Sequence, residues 1–128
     1  MIKIKKTTDS NNIISKGWGE EIIIHNDNEY CGKLLRFIEG CKFSLHYHVK
    51  KSETWYVNKG EFILIYIDTN SAVKHELRIG VGDIIHIERN TPHQLMAITD
   101  GEIFEVSTPH FDDDSYRIEA GDSQIKNN

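Results

Sequence analysis

The chain has 128 residues, of which 38% are hydrophobic and 27% are charged, and its formal net charge is −5. This length predicts a single domain, and the acidic balance lacks the basic surface expected of a nucleic-acid-binding protein. The longest nearly uninterrupted apolar run, Phe62 to Ile67, is much shorter than the roughly 20 residues of a membrane-spanning helix. We therefore expect neither nucleic acid nor a membrane as a partner.

The first twelve residues are basic, but they contain no hydrophobic segment and no small-residue cleavage site. They do not resemble a secretory signal, so we expect a cytoplasmic protein. Two cysteines, Cys31 and Cys41, are predicted to remain reduced in that compartment.

In chain order, segments rich in Ile, Val, Leu, Phe and Tyr alternate with turn signals made of Gly, Asn, Asp and Pro. The spacing between turns, about 8 to 12 residues, is typical of a small antiparallel β-barrel or sandwich. The predicted strands are 21–25, 33–38, 42–48, 54–57, 61–67, 73–79, 83–87, 94–98 and 102–107. Residues 1–16 are expected to form an N-terminal arm, and residues 121–128 a frayed tail, of one domain that covers 1–128.

Histidines within these strands indicate the chemistry of the interior. His46 and His48 are two residues apart in a predicted strand, so their side chains lie on one face of it. Glu53 follows five residues later, and His93 comes directly after Pro92. Three histidines and one carboxylate suit one divalent transition metal, such as Zn, Fe, Mn, Ni or Co, with positions left open for substrate. A solvated histidine pair on an outer face is the alternative interpretation.

The spacing of these residues resembles the first sequence motif of the cupin family. Its glycines, histidines and glutamate correspond to Gly40, His46, His48, Glu53 and Gly60. The stretch from Gly82-Asp83 to Pro92-His93 resembles the second motif more loosely, with Glu88-Arg89-Asn90 in place of a Pro-x-Gly turn and Ala97 in place of a late Asn. The resemblance implies a jelly-roll β-barrel in which His46, His48, Glu53 and His93 are the metal ligands.

A narrower resemblance, over nearly the whole chain, is to the C-terminal cupin of type II mannose-6-phosphate isomerases. It is carried by residues 16–19, Lys33, residues 44–45, residues 53–55, Gly60, Ile87, His93, Leu95, residues 105–106, residues 113–114, Arg117 and Glu119. It implies a freestanding isomerase that converts an aldose phosphate into a ketose phosphate, with Trp18 as an N-terminal plug on the barrel. The chain departs from that subfamily at His46, where glutamine is usual.

Such a reaction needs a base that moves a proton between neighbouring carbons. We predict Glu105 for this role, because strand alternation places it on the same face as Ile103, and burial in an apolar barrel would raise the pKa of its carboxyl. Two alternatives remain, in which Glu105 is a solvated outer-face residue or a structural ion-pair partner of Arg117.

A sugar phosphate also needs cationic groups near the barrel mouth, and we predict Lys33 and Arg117. Arg36 lies on the opposite face of the strand from Lys33, and Lys50 and Lys51 are interpreted as a solvated loop. The substrate pocket is predicted to include Ser44, Trp55 and His86, the last of these at the cavity rim.

Two other classes of function remain open. One is a different metal-dependent cupin enzyme, either a dioxygenase or a lyase, and the other is a non-catalytic barrel that binds a sugar or a metal. In each case the expected partner is a small molecule. The resemblance to cupins, which are often dimers, also implies a homodimer, and Ile22, Ile23 and Ile24 make an early strand apolar on both faces, which suits burial under a partner.

Overall fold

A computed structural model describes residues 1–9 and 11–125 of the chain. Within those ranges the backbone forms eleven β-strands and one helical turn. The strands are β1 (Ile13–Lys16), β2 (Gly19–Asn26), β3 (Cys31–Phe37), β4 (Leu45–Tyr47), β5 (Glu53–Lys59), β6 (Glu61–Ile67), β7 (Lys74–Gly80), β8 (Ile84–Ile87), β9 (His93–Ala97), β10 (Gly101–Ser107) and β11 (Tyr116–Glu119), and the helical turn is α1 (Asp122–Ile125).

Two antiparallel sheets contain these strands. The six-stranded sheet has the order β1-β2-β3-β10-β5-β8, and the five-stranded sheet has the order β11-β4-β9-β6-β7. Side chains from both sheets meet in one hydrophobic core. The prediction of an all-β, antiparallel barrel or sandwich is therefore confirmed.

Alternation of side chains along each strand decides which residues reach the interior. In β5, for example, Trp55 and Val57 are buried, whereas Tyr56 and Asn58 between and after them are exposed. The polar residues that obey this alternation and point inward are the ones that build the site, as described below.

All nine predicted strands correspond to observed strands, β2 to β10. The two strands that the pattern missed, β1 and β11, are four residues long and lie at sheet edges. Every residue of β11 is exposed, and three of the four in β1 are. Such strands have no buried face and hence no alternating hydrophobic signal. The expected N-terminal arm is thus shorter than 1–16, because residues 13–16 belong to the six-stranded sheet.

Aromatic rings fill one end of the core. Trp18 is buried, with its ring stacked on Phe37 at a centroid distance of 4.5 Å and edge-on to Phe43 at 6.3 Å. Phe43 in turn packs against the ring of His93 at 6.0 Å. The N-terminal tryptophan and the histidine at the start of β9 therefore share one packed aromatic cluster. Cys31 and Cys41 are buried free thiols.

In the C-terminal segment expected to fray, residues 122–125 form α1, while residues 126–128 lie outside the described ranges. Asp122 is buried; its backbone N–H donates to the Lys42 carbonyl at 2.9 Å, and its Oδ2 accepts from the Lys42 N–H at 2.8 Å. The backbone N–H of Gly17 donates to Ser123 Oγ at 3.0 Å. These long-range hydrogen bonds hold the tail against the barrel, and nothing in its polar composition signals them.

Gly121 allows that close approach. A Cβ at this position would overlap the backbone of Phe43 and Ser44, whereas a Cβ at Gly80 would meet no atom within 4 Å. We expect Gly121→Ala to lower the free energy of unfolding by roughly 1–3 kcal/mol, as overpacking does elsewhere. Urea denaturation followed by tryptophan fluorescence measures this, with Gly80→Ala as the matched control. Equal stability of the two variants would contradict the packing described for the tail.

Candidate metal centre

Three histidine side chains converge inside the barrel from two neighbouring strands. His46 belongs to β4, His48 follows that strand directly, and His93 begins β9. The Cα atoms of His46 and His93 are register partners across the pair. One ring nitrogen from each histidine lies within 4.8 Å of the others. This spacing allows a single metal ion to contact all three rings.

The second nitrogen of each ring is already engaged. The Nδ1 atom of His46 lies 2.7 Å from the Ser44 carbonyl, that of His48 lies 2.7 Å from the Asp114 carbonyl, and that of His93 lies 2.8 Å from the Thr91 carbonyl. A carbonyl only accepts, so each Nδ1 carries the proton and donates it. The lone pair on each Nε2 is then free for a metal. Such carbonyl partners fix both the tautomer and the ring orientation of a ligating histidine.

Glu53 lies beside two of these rings. Its Oε2 is 3.4 Å from His48 Nε2 and its Oε1 is 3.7 Å from His93 Nε2. Among the described residues, Glu53 Oε2 and His93 Nε2 are buried side-chain atoms without a hydrogen-bond partner. A buried polar atom without a hydrogen bond is costly, and a cation between these two would satisfy both, in addition to the Lys51 ammonium 3.4 Å from Glu53 Oε2. The donor set therefore fits a divalent metal held by the three histidines, with Glu53 as the adjacent carboxylate.

Electrostatics keep the imidazoles neutral, as metal binding requires. Burial, reinforced by the neighbouring His93 and His48, holds the pKa of His46 well below its ordinary value. Burial and the nearby Lys51 ammonium lower the pKa of His48 to about 4, and burial also lowers the pKa of His93. At neutral pH all three rings consequently offer unprotonated nitrogen atoms.

A lysine between two carboxylates adjoins the histidines. Lys51 is 5% exposed, and its Nζ lies 3.4 Å from Glu53 Oε2 and 3.3 Å from Glu105 Oε2. The interpretation of Lys51 as a solvated loop residue was wrong. Since residues 51, 53 and 55 alternate to one side, the inward direction of Lys51 could have been inferred from Glu53. Its neighbour Lys50 is exposed, with its Nζ 5.0 Å from the centre of the Phe111 ring.

The two carboxylates respond differently to this shared ammonium. Although burial opposes it, Lys51 together with His93 holds the pKa of Glu53 below its ordinary value. Burial, and next the charge of Glu53, raise the pKa of Glu105 despite the nearby lysines. Glu53 is therefore the carboxylate that stays ionised, and Glu105 is the one with the higher proton affinity.

His46, His48, Lys51, Glu53 and Glu105 line one cavity of about 840 Å³. Its wall includes Lys33, which is buried and donates to Glu21 Oε1 at 2.9 Å. Arg117 also lines it, from β11, at the position paired with His46. Arg36 lies on the outer face, where it is bonded to Glu102 and Glu20. The cavity thus combines cationic and carboxylate groups beside the histidine cluster, and Glu105 forms its ion pair with Lys51, not with Arg117.

The three residues predicted for the substrate pocket occupy different places. Ser44 lines the cavity, and its Oγ lies 2.9 Å from His46 Nδ1. Trp55 is 1% exposed and does not line the cavity. It donates its indole N–H to Glu53 Oε1 at 2.8 Å and so supports that carboxylate. His86 is on the outer face next to Thr54, because its strand neighbours Ile85 and Ile87 point inward; the prediction that it lies at the rim was wrong.

Comparison with known proteins agrees with this arrangement. The model of the family described as Cupin domain matches residues 33–107, which is more than half of the chain. The chain belongs to the cupin family. That match includes all three histidines of the cluster, together with Glu53, Lys51 and Glu105. No curated protein has a sequence that matches this cupin.

Solved structures with the same fold are distant in sequence. Oxalate decarboxylase from Bacillus subtilis at pH 4.6 is 18% identical with a TM-score of 0.76, over 88% of this chain and 31% of that chain. The capsular polysaccharide assembling protein CapF from Staphylococcus aureus is 16% identical with a TM-score of 0.72, over 84% and 34%. This cupin spans about a third of the length of those proteins, and the similarity establishes the fold alone.

Another structure of the Bacillus subtilis decarboxylase, 18% identical over 88% of this chain and 31% of that chain with a TM-score of 0.74, concerns the Mn(II) centres of that enzyme. Within residues 1–9 and 11–125 of the present cupin, no helix has the length and apolar character that crossing a membrane requires.

The two adjacent lysines provide a matched test of the buried ion-pair network. Lys51→Met leaves the Glu53 and Glu105 carboxylates without their cation, and breaking a buried pair in this way costs roughly 3–5 kcal/mol. We expect a loss of that size in the free energy of unfolding, measured by urea denaturation of the metal-free protein. Lys50→Met should cost less than about 1 kcal/mol, since its charge is exposed. Similar losses for both variants would contradict the buried position of Lys51.

Proposed function

We propose that this cupin is a metal-dependent isomerase that converts an aldose phosphate of the mannose-6-phosphate type into the ketose phosphate. The observation that carries the proposal is a three-histidine cluster, two members of which (His46 and His48) line the same cavity as Glu105, a buried carboxylate with a raised pKa. The resemblance of the chain to type II mannose-6-phosphate isomerases supplies the substrate class.

His46, His48 and His93 would hold the metal, with Glu53 as the fourth ligand. A divalent metal bound there would polarise the carbonyl and the neighbouring hydroxyl of an open-chain sugar. Trp55 keeps the Glu53 carboxylate in place through its indole N–H, while Ser44, Asp114 and Thr91 hold the three rings by their carbonyls. The protein groups around the site are thus oriented before any ligand arrives.

Glu105 is the proposed base. Its carboxylate removes the proton from C2 of the aldose and delivers it to C1. The O2 hydroxyl loses its proton as the C2 carbonyl forms, and O1 gains a proton as the C1 carbonyl becomes a hydroxyl. The sugar is neither oxidised nor reduced overall. A pKa raised by burial favours this role, because a base works best when its pKa lies near the working pH. Lys51, 3.3 Å from Glu105 Oε2, fixes the orientation of the carboxylate.

Phosphate recognition is assigned to the cationic part of the cavity wall. Arg117 is exposed and can engage phosphate oxygens through two N–H groups at once. Lys33 is already paired with Glu21, so its ammonium contributes positive charge to the cavity but is not free to donate a hydrogen bond to phosphate. Arg117 is therefore the principal phosphate ligand in this proposal.

Metal analysis of untagged protein purified without chelator, coupled to NMR detection of deuterium exchange, tests the proposal. We expect about one metal per chain, and exchange at C2 of mannose 6-phosphate or C1 of fructose 6-phosphate. One metal without exchange would contradict the isomerase assignment and favour the other metal-dependent enzymes, a dioxygenase or a lyase that acts on a different substrate. Absence of metal would favour a non-catalytic sugar-binding barrel.

Variants separate the ligands from the base in the same assay. His48→Ala and Glu53→Ala should lose both metal and exchange, because each removes a proposed ligand. Glu105→Gln should keep the metal and lower the exchange rate roughly 10²–10⁴-fold, the usual contribution of a general base. Retention of metal by Glu53→Ala would show that this carboxylate is not a ligand, and full exchange by Glu105→Gln would exclude it as the base.

We further propose that the outer face of the six-stranded sheet pairs with a second copy of the chain. Consecutive register partners place one apolar side chain from each strand in a row: Ile13, Ile22, Leu34, Phe104, Tyr56 and Ile84. Ile22 is 3% exposed within the chain, so a partner would contact the other five. The row spans about 24 Å across six strands. Beside it, Arg36 is paired with both Glu20 and Glu102, so these charges need no partner from another protein.

Two such rows can pack face to face about a two-fold axis, as in sheet-on-sheet packing. A specific interface buries at least about 1,000 Å² in total, which is the area that two such faces must reach. Ile84, which is 71% exposed, offers the simplest test. Light scattering should give a dimer for the native chain and a monomer for Ile84→Asp. Ile118→Asp on β11 of the other sheet, where Ile118 is 48% exposed, should leave the dimer intact. A monomeric native chain, or a dimeric Ile84→Asp, would refute this interface.

A further inference from the structure

Asp114 differs from the two acidic residues before it. Asp112 and Asp113 are exposed, whereas Asp114 is 2% exposed. A run of three acidic residues is typical of a solvated turn, and only the first two have that environment. The buried carboxylate lies between β10 and β11, in a segment whose other residues, including Phe111 and Ser115, line the cavity.

The carboxylate of Asp114 binds the turn that joins β4 to β5. Its Oδ1 accepts from the backbone N–H groups of Val49 and Lys50, both at 3.0 Å. Its Oδ2 accepts from the N–H of Lys51 at 3.0 Å and from that of Lys50 at 3.2 Å. Three consecutive N–H groups thus point at one carboxylate, and they hold the pKa of Asp114 below its ordinary value although burial opposes this.

The same residue also contacts the metal centre through its backbone. Its carbonyl accepts the Nδ1 proton of His48 at 2.7 Å. Asp114 therefore contacts a proposed ligand directly, and its carboxylate binds the three residues that follow that ligand. The last of these is Lys51, whose ammonium contacts Glu53 and Glu105.

Other contacts hold this turn, but from different directions. Arg89 Nε donates to the Lys50 carbonyl at 2.7 Å, and the N–H of Asn90 donates to the His48 carbonyl at 2.7 Å. Ser52 exchanges hydrogen bonds with Thr108, both at 3.1 Å. These bonds satisfy the carbonyls of His48 and Lys50 and both backbone groups of Ser52, at the end of the turn next to β5. The N–H groups of residues 49–51 donate to Asp114.

We propose that Asp114 is a positioning residue of the metal centre. Its carboxylate fixes the backbone between His48 and Lys51, and its backbone carbonyl fixes the His48 ring. One residue therefore couples the cavity-lining segment to the metal-binding strand. This inference rests on the proposed metal site and is independent of the isomerase reaction.

Asp114→Asn is a sharp test because it preserves size and shape. The amide oxygen can still accept from two of the three N–H groups. The amide nitrogen, which replaces the other carboxylate oxygen, cannot accept, so at least one N–H of residues 49–51 loses its acceptor. We expect the dissociation constant for Co²⁺, measured by competition with a chelator, to rise 10–100-fold, as for other residues that orient metal ligands. We also expect a changed visible absorption spectrum of the bound Co²⁺.

Asp68→Asn is the matched control. Asp68 accepts from the N–H groups of Asn70 at 2.8 Å and Ser71 at 3.3 Å in the β6–β7 turn, so the same chemical change is made where no proposed ligand is attached. This variant should bind Co²⁺ with native affinity and spectrum. Any loss of stability common to both variants is removed by this comparison.

NMR of the metal-free chain supplies a readout without metal. Nitrogen-15 correlations should show His48 protonated at Nδ1 in the native chain and a mixture of tautomers in Asp114→Asn. If Asp114→Asn does not fold, Asp114→Ser, which keeps a small oxygen acceptor, serves in both experiments. A native chain that does not bind Co²⁺ would refute the proposed metal site and this inference with it. Tight native binding together with unchanged affinity, spectrum and tautomer in the variant would refute the role of Asp114 alone.

Discussion

Three hydrogen bonds from histidine Nδ1 atoms to backbone carbonyls are the interactions on which the site depends. Burial makes each imidazole neutral, and the carbonyl partner then decides which nitrogen keeps the proton. The acceptors come from three parts of the chain: Ser44 beside β4, Thr91 before β9, and Asp114 before β11. The ligand geometry is thereby linked to the register of the five-stranded sheet and to the segment that lines the cavity.

Much of the fold follows from alternation in the sequence, and so does part of the site. The same alternation that buries Leu35 and Phe37 in β3 also turns Lys33 inward and Arg36 outward. Spacing was sufficient to bring His46 and His48 to one face, but only tertiary structure shows that His93 faces His46 across the β4–β9 pair. In a regular strand, alternation decides which face of the sheet a side chain occupies. In a turn, alternation carries less information.

The turns and edges are where sequence reasoning failed, for physical reasons. Asp114 has the composition of a solvated turn, and its burial results from contacts between segments more than 60 residues apart. Asp122 is similar, since a carboxylate near the C-terminus is buried by bonding to Lys42. A local pattern cannot report a charged group whose partner is remote. His86 failed differently, because pairing of β8 with β5 places Ile85 and Ile87 inside and therefore His86 outside.

The division of labour between the two buried glutamates follows from how they share Lys51. Both carboxylates are about equally close to the ammonium, at 3.4 Å and 3.3 Å, so the lysine alone does not distinguish them. The Trp55 indole does: Glu53 accepts its N–H at 2.8 Å, whereas Glu105 lies in β10, opposite Lys33 and Trp55 in register. Since one cation cannot fully compensate two buried anions, the less supported carboxylate gains proton affinity. Glu105 is that group, and for this reason it is better suited than Glu53 to accept and return a proton.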